Sequence, residues 1–289
     1  MLLPVTTPLV RFPHLRPPWV GGETVYVCGR YGHLNGTELE GGHAKARKTF
    51  YQKAKFACDY ESADRIVEAM LSDRVLDRLI DDLTPYMANG VPLICAVPHP
   101  PFDDAQGDGA DLVGRRKVRN ALPLQYMARL SVELGADMDQ EIVQKGRVSR
   151  TKLKHFPRFL WQPCFDGAVR QDAAYILVDD VLTTGGTLAA LRSHIIRNGG
   201  KVAAVTTLAH GLGEWRPLAL LAATWHELQA HFGVDFNAFW RKEIGHDATC
   251  LTEAEGHILL KWRTGEPGPW DTPLQRLRDR LAAAAAKNE

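Results

Sequence analysis

Residues 173–210 read AAYILVDDVLTTGGTLAALRSHIIRNGGKVAAVTTLAH, and the order of patterns within them decides the fold class. An apolar run leads into two aspartates and a Thr/Gly-rich loop, and a helical pattern then ends at Gly199 and Gly200. A second apolar run, residues 201–210, follows directly. Two buried strands joined by one helix form a parallel, right-handed crossover unit. The sequence therefore predicts an α/β protein whose parallel sheet of four or five strands is flanked by helices.

Further elements are predicted on both sides of this unit. Residues 91–98, VPLICAVP, form a short apolar run that is typical of a strand buried on both faces. Residues 23–32 indicate a strand or hairpin, and residues 62–83 indicate one amphipathic helix. More helices are predicted at residues 122–134 with Gly135 as C-cap, at 218–232, at 252–262 behind a Thr252/Glu255 capping box, and from about residue 273 onward. Residues 145–170 are basic and interrupted by proline, which predicts a solvated loop.

The composition excludes several classes of protein. The chain has 289 residues, 45% of them hydrophobic and 24% charged, which is ordinary for a globular protein and unlike a disordered or fibrous one. Thirty-five Lys and Arg residues oppose 34 Asp and Glu residues, so the net charge is +1. A charge this small gives no overall attraction to nucleic acid or to an anionic membrane, so any such role depends on local patches.

The cysteines and the apolar runs indicate the environment in which the protein works. Five scattered cysteines without a C-x-x-C pair support neither a disulfide framework nor a structural zinc site. We therefore expect a reducing, cytoplasmic environment. No apolar run approaches the length needed to span a membrane, and prolines interrupt residues 1–18, which we interpret as an extended arm and not as a signal peptide.

The Thr/Gly-rich loop has the composition of a phosphate-binding loop. A helix N-terminus presents unpaired backbone N–H groups and partial positive charge, and the glycines allow close approach of an anion. The loop consists of Thr183, Thr184, Gly185, Gly186 and Thr187. Asp179 and Asp180 would repel a phosphate at contact distance, so vicinal sugar hydroxyls displaced from the phosphate are their expected partners. The alternative is a strand that ends in solvated aspartates followed by a glycine turn.

Residues 176–187, ILVDDVLTTGGT, resemble the phosphoribosyl-pyrophosphate (PRPP) motif of the type I phosphoribosyltransferases. The resemblance implies that Asp179 and Asp180 hold the ribose hydroxyls of PRPP and contact Mg²⁺ indirectly, through those hydroxyls or through water. It also implies that the following residues bind the 5-phosphate and its surroundings: Val181, Leu182, Thr183, Thr184, Gly185, Gly186 and Thr187. A Walker-type loop is the weaker alternative, because no G-x-x-x-x-G-K-[ST] sequence is present.

The resemblance continues upstream, so that it spans residues 91–210. AVPHPP, residues 96–101, is similar to the P-V-P segment of ComF-type phosphoribosyltransferases, which implies that Pro98 and His99 lie in the pyrophosphate loop. Residues 116–135 resemble the R-G-F-N helix of that group but carry Val118 where the group has Phe. The N-terminal cysteine cluster of the ComF type is absent from this sequence.

The basic segment of residues 146–159 falls where these enzymes carry a loop that closes over PRPP. By that resemblance Arg150 and Lys152 are candidate catalytic residues that neutralise the departing pyrophosphate. Two alternatives remain open. The segment is a basic surface loop without a catalytic role, or it contacts RNA or single-stranded DNA, for which the stacking candidates are Phe156, Phe159 and Trp161.

The resemblance implies a domain organisation and a function. Residues 1–89 form an arm and a hood that recognises the acceptor, residues 90–214 form the phosphoribosyltransferase core, and residues 215–289 form a C-terminal helical subdomain. The implied reaction is Mg²⁺-dependent transfer of 5-phosphoribosyl from PRPP to a nitrogen acceptor. Thr183 stands where enzymes for 6-oxopurines carry an acidic base, which disfavours those acceptors.

Two other functions remain open at this stage. The protein senses PRPP or a nucleotide without turnover, or it is an effector or accessory subunit of a nucleoprotein or defence complex. The expected ligands are PRPP and a small-molecule acceptor. A protein partner or a second copy of the chain would dock through the flanking segments. Nucleic acid is not supported by the net charge of +1.

Overall fold

The computed structural model describes residues 15–20, 23–98, 120–145, 155–211, 215–262 and 272–286. A six-stranded sheet with the order β3-β2-β6-β7-β1-β8 forms its centre, and β4 and β5 form a separate antiparallel pair. The strands are β1 Thr24–Arg30, β2 Leu93–Ala96, β3 Asp137–Met138, β4 Val143–Lys145, β5 Cys164–Asp166, β6 Ala174–Leu182, β7 Lys201–His210 and β8 Trp215–Pro217. The pairings from β3 to β1 are parallel, and β8 is antiparallel to β1. The predicted α/β class with a parallel sheet is confirmed.

Helices cover the sheet and form a further layer at the C-terminal side of the chain. They are α1 Tyr31–Asn35, α2 Gly41–Phe56, α3 Tyr60–Met70, α4 Asp73–Ala88, α5 Leu122–Leu134, α6 His155–Leu160, α7 Gly186–Arg197, α8 Ala222–Phe232, α9 Phe236–Ile244, α10 Glu253–Lys261 and α11 Pro273–Ala286. Two predicted helix ends are confirmed. Gly135 terminates α5 with a left-handed φ of 62°, and Thr252 and Glu255 form the capping box of α10.

The crossover unit β6-α7-β7 lies at the centre of the sheet. β6 pairs with β2 on one side and with β7 on the other, so its backbone is hydrogen-bonded along both edges. Its alternating side chains enter two different cores: Ile176 and Val178 pack in the core that contains α4 and α5, whereas Tyr175 and Leu177 pack in the core that contains α7. This burial on both faces explains why the strand is a continuous apolar run and not an alternating one.

The prediction of one helix over residues 62–83 is wrong in its continuity. Two helices, α3 and α4, are separated by Leu71 and Ser72, and both linking residues have extended backbone. The Ser72 carbonyl accepts from the amides of Val75 and Leu76 and so begins the second helix. Apolar side chains of both helices enter the same core. The helical spacing is the same on both sides of the break, so it does not reveal the turn.

The prediction of a solvated loop over residues 145–170 is also wrong for the part that the structure describes. Helix α6 carries Phe156 and Phe159, and Trp161 follows directly after it. All three are buried, with exposures of 4%, 1% and 6%. They pack against helices α8 to α11, as in the edge contact between Phe159 and Trp240 with ring centroids 5.2 Å apart. These aromatic rings are therefore unavailable for stacking on nucleic acid.

The C-terminal aromatic residues form a packed core. They are Trp225, Phe232, Phe236, Phe239 and Trp240. Phe232 and Phe236 stack with centroids 4.7 Å apart, and Trp240 is fully buried.

The central sheet contains strands from each of the three predicted segments. β1 lies between β7 and β8, although it belongs to residues 1–89, and β8 belongs to residues 215–289. The division at residues 90 and 215 stays a prediction. Among the described helices, none is long and apolar enough to cross a membrane.

Candidate functional site

The candidate site lies where the parallel strands end. Leu182 at the end of β6 is in register with His210 at the end of β7, and His210 is in register with Arg30 at the end of β1. The carboxyl ends of three neighbouring strands therefore share one edge of the sheet, and open parallel sheets bind their ligands at that edge. Asp179 lies within β6 and pairs with Thr207, so the strand continues through the two aspartates instead of stopping before them.

The Thr/Gly-rich loop joins this edge to helix α7. Residues 183–185 bend, and the helix begins at Gly186. Gly185 has a φ of 74°, and a Cβ atom at this position would lie 2.6 Å from Leu218 Cδ1. A side chain is thus excluded by backbone conformation and by space. The first backbone N–H groups of α7 have no partner within the helix, which makes its N-terminus suitable for an anion.

Two contacts from other parts of the chain hold this loop. The Thr252 hydroxyl donates to the carbonyl oxygen of Thr184 at 2.5 Å. Arg158 Nη1 donates to Thr183 Oγ1 at 3.3 Å. Thr252 thus has two functions, because its hydroxyl also accepts from the amide of Glu255 as the N-cap of α10. The sequence pattern predicts the cap but carries no signal for the contact with the loop.

The acidic pair is buried. Asp179 is 7% exposed and Asp180 is 5% exposed. The Asp180 amide donates to Asp179 Oδ1 at 2.8 Å. Burial raises the pKa of Asp179 well above its usual range, and the negative charge of Asp180 adds to the rise. The hydrogen bond from the Asp180 amide and the positive charge of Lys55 act in the opposite direction and lower this pKa. The pair is therefore not the solvated strand end that was the alternative at the sequence level.

Side chains from two segments that precede the core motif contact Asp180. Lys55 Nζ, in the last turn of α2, forms an ion pair with Asp180 Oδ2. Asn120 Nδ2, just before α5, donates to the same oxygen at 2.9 Å. The backbone segments that carry these two side chains are also joined, because the Ala121 amide donates to the Ala54 carbonyl at 2.9 Å. The end of α2 therefore lies over the acidic pair.

Two tyrosines extend the polar surroundings of this pair. The hydroxyls of Tyr31 and Tyr51 are 3.2 Å apart. The pKa of Tyr51 is raised, first by burial, then by the bond with Tyr31 and by the charges of Tyr31 and Asp180. Burial alone would lower the pKa of Lys55, but the charge and the hydrogen bond of Asp180, together with Asp179, raise it. Lys55 is thus charged at neutral pH.

The structure describes some of the predicted site residues and leaves others outside the described ranges. The structure brings together the acidic pair and the loop, namely Asp179, Asp180, Val181, Leu182, Thr183, Thr184, Gly185, Gly186 and Thr187. Pro98 is buried and follows β2, whose partner in the sheet is β6. His99, Arg150 and Lys152 lie outside the described residues. Asn120 belongs to the predicted R-G-F-N-like segment, but Lys55 was missed, because α2 carries no motif.

The donor set is compatible with a hard cation held indirectly. Carboxylate oxygens are the ligands that Mg²⁺ prefers, and Mg²⁺ usually keeps several waters or substrate oxygens in its shell. Within the described ranges, no group of three or more His, Cys, Asp or Glu side chains is arranged to hold a metal. The two aspartates therefore supply a partial ligand set at most.

Comparison with known proteins gives relatives at limited coverage. No protein-family model matches the chain. Protein TraN of Escherichia coli is 32% identical over 238 residues, which cover 81% of this chain and 46% of TraN. An uncharacterized protein of Haemophilus influenzae is 36% identical over 107 residues, which cover 33% of this chain and 24% of that protein. The chain spans less than half the length of these curated relatives.

Solved structures that resemble the chain include adenine phosphoribosyltransferases. The enzyme of Thermoanaerobacter pseudethanolicus gives a TM-score of 0.29 at 18% identity, with coverage of 50% of this chain and 73% of the enzyme. The enzyme of Leishmania donovani gives a TM-score of 0.28 at 15% identity, with coverage of 78% and 81%. Similarity at this level identifies neither a substrate nor a reaction.

Proposed function

We propose that this protein is a phosphoribosyltransferase of type I, which moves 5-phosphoribosyl from PRPP to a nitrogen acceptor and releases pyrophosphate. One arrangement carries the proposal: a buried acidic pair on β6 is followed by a Thr/Gly-rich loop that begins α7 at the carboxyl edge of the sheet. The resemblance of residues 176–187 to the PRPP motif supports it, and the similarity of residues 96–101 to ComF-type members refines it.

Each part of the site has a chemical role in this reaction. The N-terminal amides of α7 and the hydroxyls of Thr183 and Thr187 bind the 5-phosphate, because amides and hydroxyls are hydrogen-bond donors that need no counter-charge. Asp179 and Asp180 accept from the ribose hydroxyls and so fix the sugar relative to the phosphate. Mg²⁺, when bound, supplies positive charge that stabilises the departing pyrophosphate.

The transition state of this transfer has positive charge on the ribose ring. The carboxylates next to the sugar stabilise that charge. Helix α2, whose last turn lies over the acidic pair, limits the access of water, which would otherwise attack the anomeric carbon of the ribosyl cation. The acceptor is a nitrogen base or amine. Thr183 stands where 6-oxopurine enzymes carry an acidic base, which favours an acceptor that need not give up a proton to a side chain at that point.

A thermal-shift measurement tests the PRPP site. A ligand that binds the native state alone stabilises it by about 2.7 kcal/mol at 100 times its Kd, which corresponds to a rise in Tm of roughly 4–5 °C for a chain of this size. We expect this shift with PRPP and Mg²⁺, and we expect chelation of the metal to remove most of it. The absence of a shift at millimolar PRPP rejects the site assignment.

The catalytic role of the basic segment is tested by substitution. Arg150→Ala and Lys152→Ala are each expected to lower turnover by roughly 10²-fold, because each removes a positive charge from the departing pyrophosphate. The Tm of each variant should stay near that of the wild type. Lys242→Ala, which removes an exposed lysine of helix α9 outside the candidate site, is the matched control. Pyrophosphate release is the readout, and unchanged turnover in both variants removes residues 146–159 from the mechanism.

One observation favours a second candidate function, the sensing of PRPP without turnover. Lys55 forms an ion pair with Asp180, and if this pair persists when PRPP is bound, it reduces the negative charge that the transition state needs. The two functions separate in a single assay that supplies PRPP, Mg²⁺ and a panel of nitrogen bases. Binding with release of pyrophosphate supports transfer, and binding without release under all conditions supports sensing.

A further inference from the structure

The last turn of α2 holds a cation that points inward. The helix carries five Lys and Arg residues and no acidic residue: Lys45, Arg47, Lys48, Lys53 and Lys55. Lys45, Lys48 and Lys53 are exposed. In the ion pair, the side chain of Lys55 is 22% exposed and the side chain of Asp180 is 6% exposed. A cation withdrawn from solvent in this way is held by its partner, because the loss of hydration needs compensation.

The partner of Lys55 is a group that the proposed reaction needs. Both Lys55 and Asn120 contact Asp180 Oδ2, whereas a bound ribose would donate its hydroxyls to the same carboxylate. Lys55 and a Mg²⁺ ion near this carboxylate would also repel each other. The ammonium of Lys55 and the ribose–metal complex are therefore alternative partners of Asp180.

The geometry allows Lys55 to exchange partners. Its ammonium ends a flexible side chain with four methylene groups in the last turn of α2. Asn120, in contrast, is held by a second bond, in which its Oδ1 accepts from the Leu122 amide at 3.2 Å. The exchange therefore needs a change of the Lys55 rotamer, whereas Asn120 can keep its contact with Asp180 when the ligand binds.

We infer that Lys55 is the internal counter-ion of Asp180 in the unliganded protein and that the ribose of PRPP, together with Mg²⁺, displaces it. The inference rests on the proposed function. Displacement has two consequences: binding is weakened by the ion pair that must be broken, and the acidic pair is kept compensated when no ligand is present. Lys55 is thus a positioning residue that sets the affinity of the site and takes no part in the chemical step.

The test compares Lys55→Gln with Lys53→Gln. Both variants remove one positive charge from the same helix turn, but Lys53 is exposed and Lys55 is paired. The probe is ribose 5-phosphate with Mg²⁺, which carries the ribose and the 5-phosphate without the pyrophosphate. We expect Lys55→Gln to bind it about tenfold more tightly than the wild type, because one charge-assisted bond no longer has to be broken. Lys53→Gln should bind as the wild type does.

Two further measurements exclude a purely structural role. Lys55→Arg keeps the charge and should return the affinity for ribose 5-phosphate to within about threefold of the wild-type value. Inorganic phosphate, which needs the loop alone, should bind all variants equally. A structural residue would change the Tm of Lys55→Gln and leave the affinity of the folded fraction unchanged.

The outcomes separate this inference from the proposed function. Unchanged or weaker binding of ribose 5-phosphate by folded Lys55→Gln overturns the counter-ion role while the PRPP site stands. If the wild type binds neither PRPP nor ribose 5-phosphate, the proposed function itself fails. If Lys55→Gln does not fold, the double variant Lys55→Met with Asp180→Asn is used instead, because it leaves no uncompensated carboxylate at position 180. Its affinity for ribose 5-phosphate is compared with that of Asp180→Asn alone. The inference predicts equal affinities, because neither protein has an ion pair that the ribose must break.

Discussion

Asp179→Asn is expected to bind PRPP about one to two decades more weakly and to melt at a higher temperature than the wild type at neutral pH. The loss of affinity follows because a neutral amide accepts less strongly from sugar hydroxyls, and one charge-assisted hydrogen bond is worth roughly 1.5–3 kcal/mol. The gain in stability follows from burial. The pKa of Asp179 is raised in the folded protein, so the ionised carboxylate destabilises the fold above the unfolded-state pKa.

The pH dependence gives this prediction a sign that can be checked. An aspartate whose pKa is raised in the folded state destabilises the fold at pH values above its unfolded-state pKa of about 3.9. This destabilisation disappears as the pH falls below that pKa. The Tm difference between Asp179→Asn and the wild type should therefore be largest at neutral pH and should shrink toward zero in acid. Calorimetry at several pH values, combined with PRPP titration of the same preparation, measures both effects.

Asp180→Asn is the matched comparison, because it should differ from Asp179→Asn in stability. Asp180 is the ion-pair partner of Lys55, so its neutral variant removes the opposite charge that contacts a largely buried ammonium and should melt below the wild type. Both variants are expected to lose PRPP affinity and to shift Tm in opposite directions. The loss in Asp180→Asn should be the smaller one, because this variant also removes the ion pair with Lys55 that the ribose has to break. Unchanged PRPP binding in both would reject the ribose-hydroxyl role.

Arg16→Met is expected to lower the free energy of unfolding by about 3–5 kcal/mol, because it leaves the carboxylate of Glu255 buried and unpaired. Both side chains are 2% exposed. Arg16 Nη1 donates to Glu255 Oε2 at 2.6 Å, and Nη2 donates to Oε1 at 2.9 Å. Arg16 also donates to Gln162 Oε1 at 2.7 Å and to the Cys250 carbonyl at 3.2 Å. The network ties the N-terminal arm to α10 and to the segment after α6, and Thr252 before α10 and Arg158 of α6 contact the Thr/Gly-rich loop.

The pH profile of Arg16→Met separates the lost ion pair from lost packing. Burial alone would raise the pKa of Glu255, but the charge and hydrogen bonds of Arg16, together with the Thr252 amide, hold it below its usual value. A depressed folded-state pKa stabilises the fold above the unfolded value of about 4.3 and loses that effect as pH falls through the folded-state value. The Tm difference should therefore be full at neutral pH and decrease in acid.

Chemical denaturation at pH 7 measures the loss, and two variants serve as controls. Arg170→Met breaks the exposed ion pairs with Asp137 and Asp172, and pairs of this kind contribute little to stability because solvent screens them. Arg16→Met combined with Glu255→Gln removes the stranded charge and should recover part of the stability. A loss below about 1 kcal/mol in Arg16→Met would contradict the buried-pair interpretation.

The sequence determined the features that depend on neighbours along the chain. The crossover unit of residues 173–210 could be predicted because strand, glycine loop and helix each have a local pattern, and that pattern also marked the acidic pair and the loop. Gly135 as a C-cap and Thr252 as a capping-box residue were predicted for the same reason. In each case the signal and the structure lie within a few residues of one another.

Only the tertiary structure decided which distant side chains meet at the site. Lys55 lies 125 positions from Asp180, and Thr252 lies 68 positions from Thr184, so no periodicity connects them. The burial of Phe156 and Phe159 depends on helices later in the chain, and proline and charge in their own segment indicated solvent instead. Local patterns specify backbone conformation and which face is apolar. The partner of a buried charge is specified by packing, which brings together residues that the sequence keeps apart.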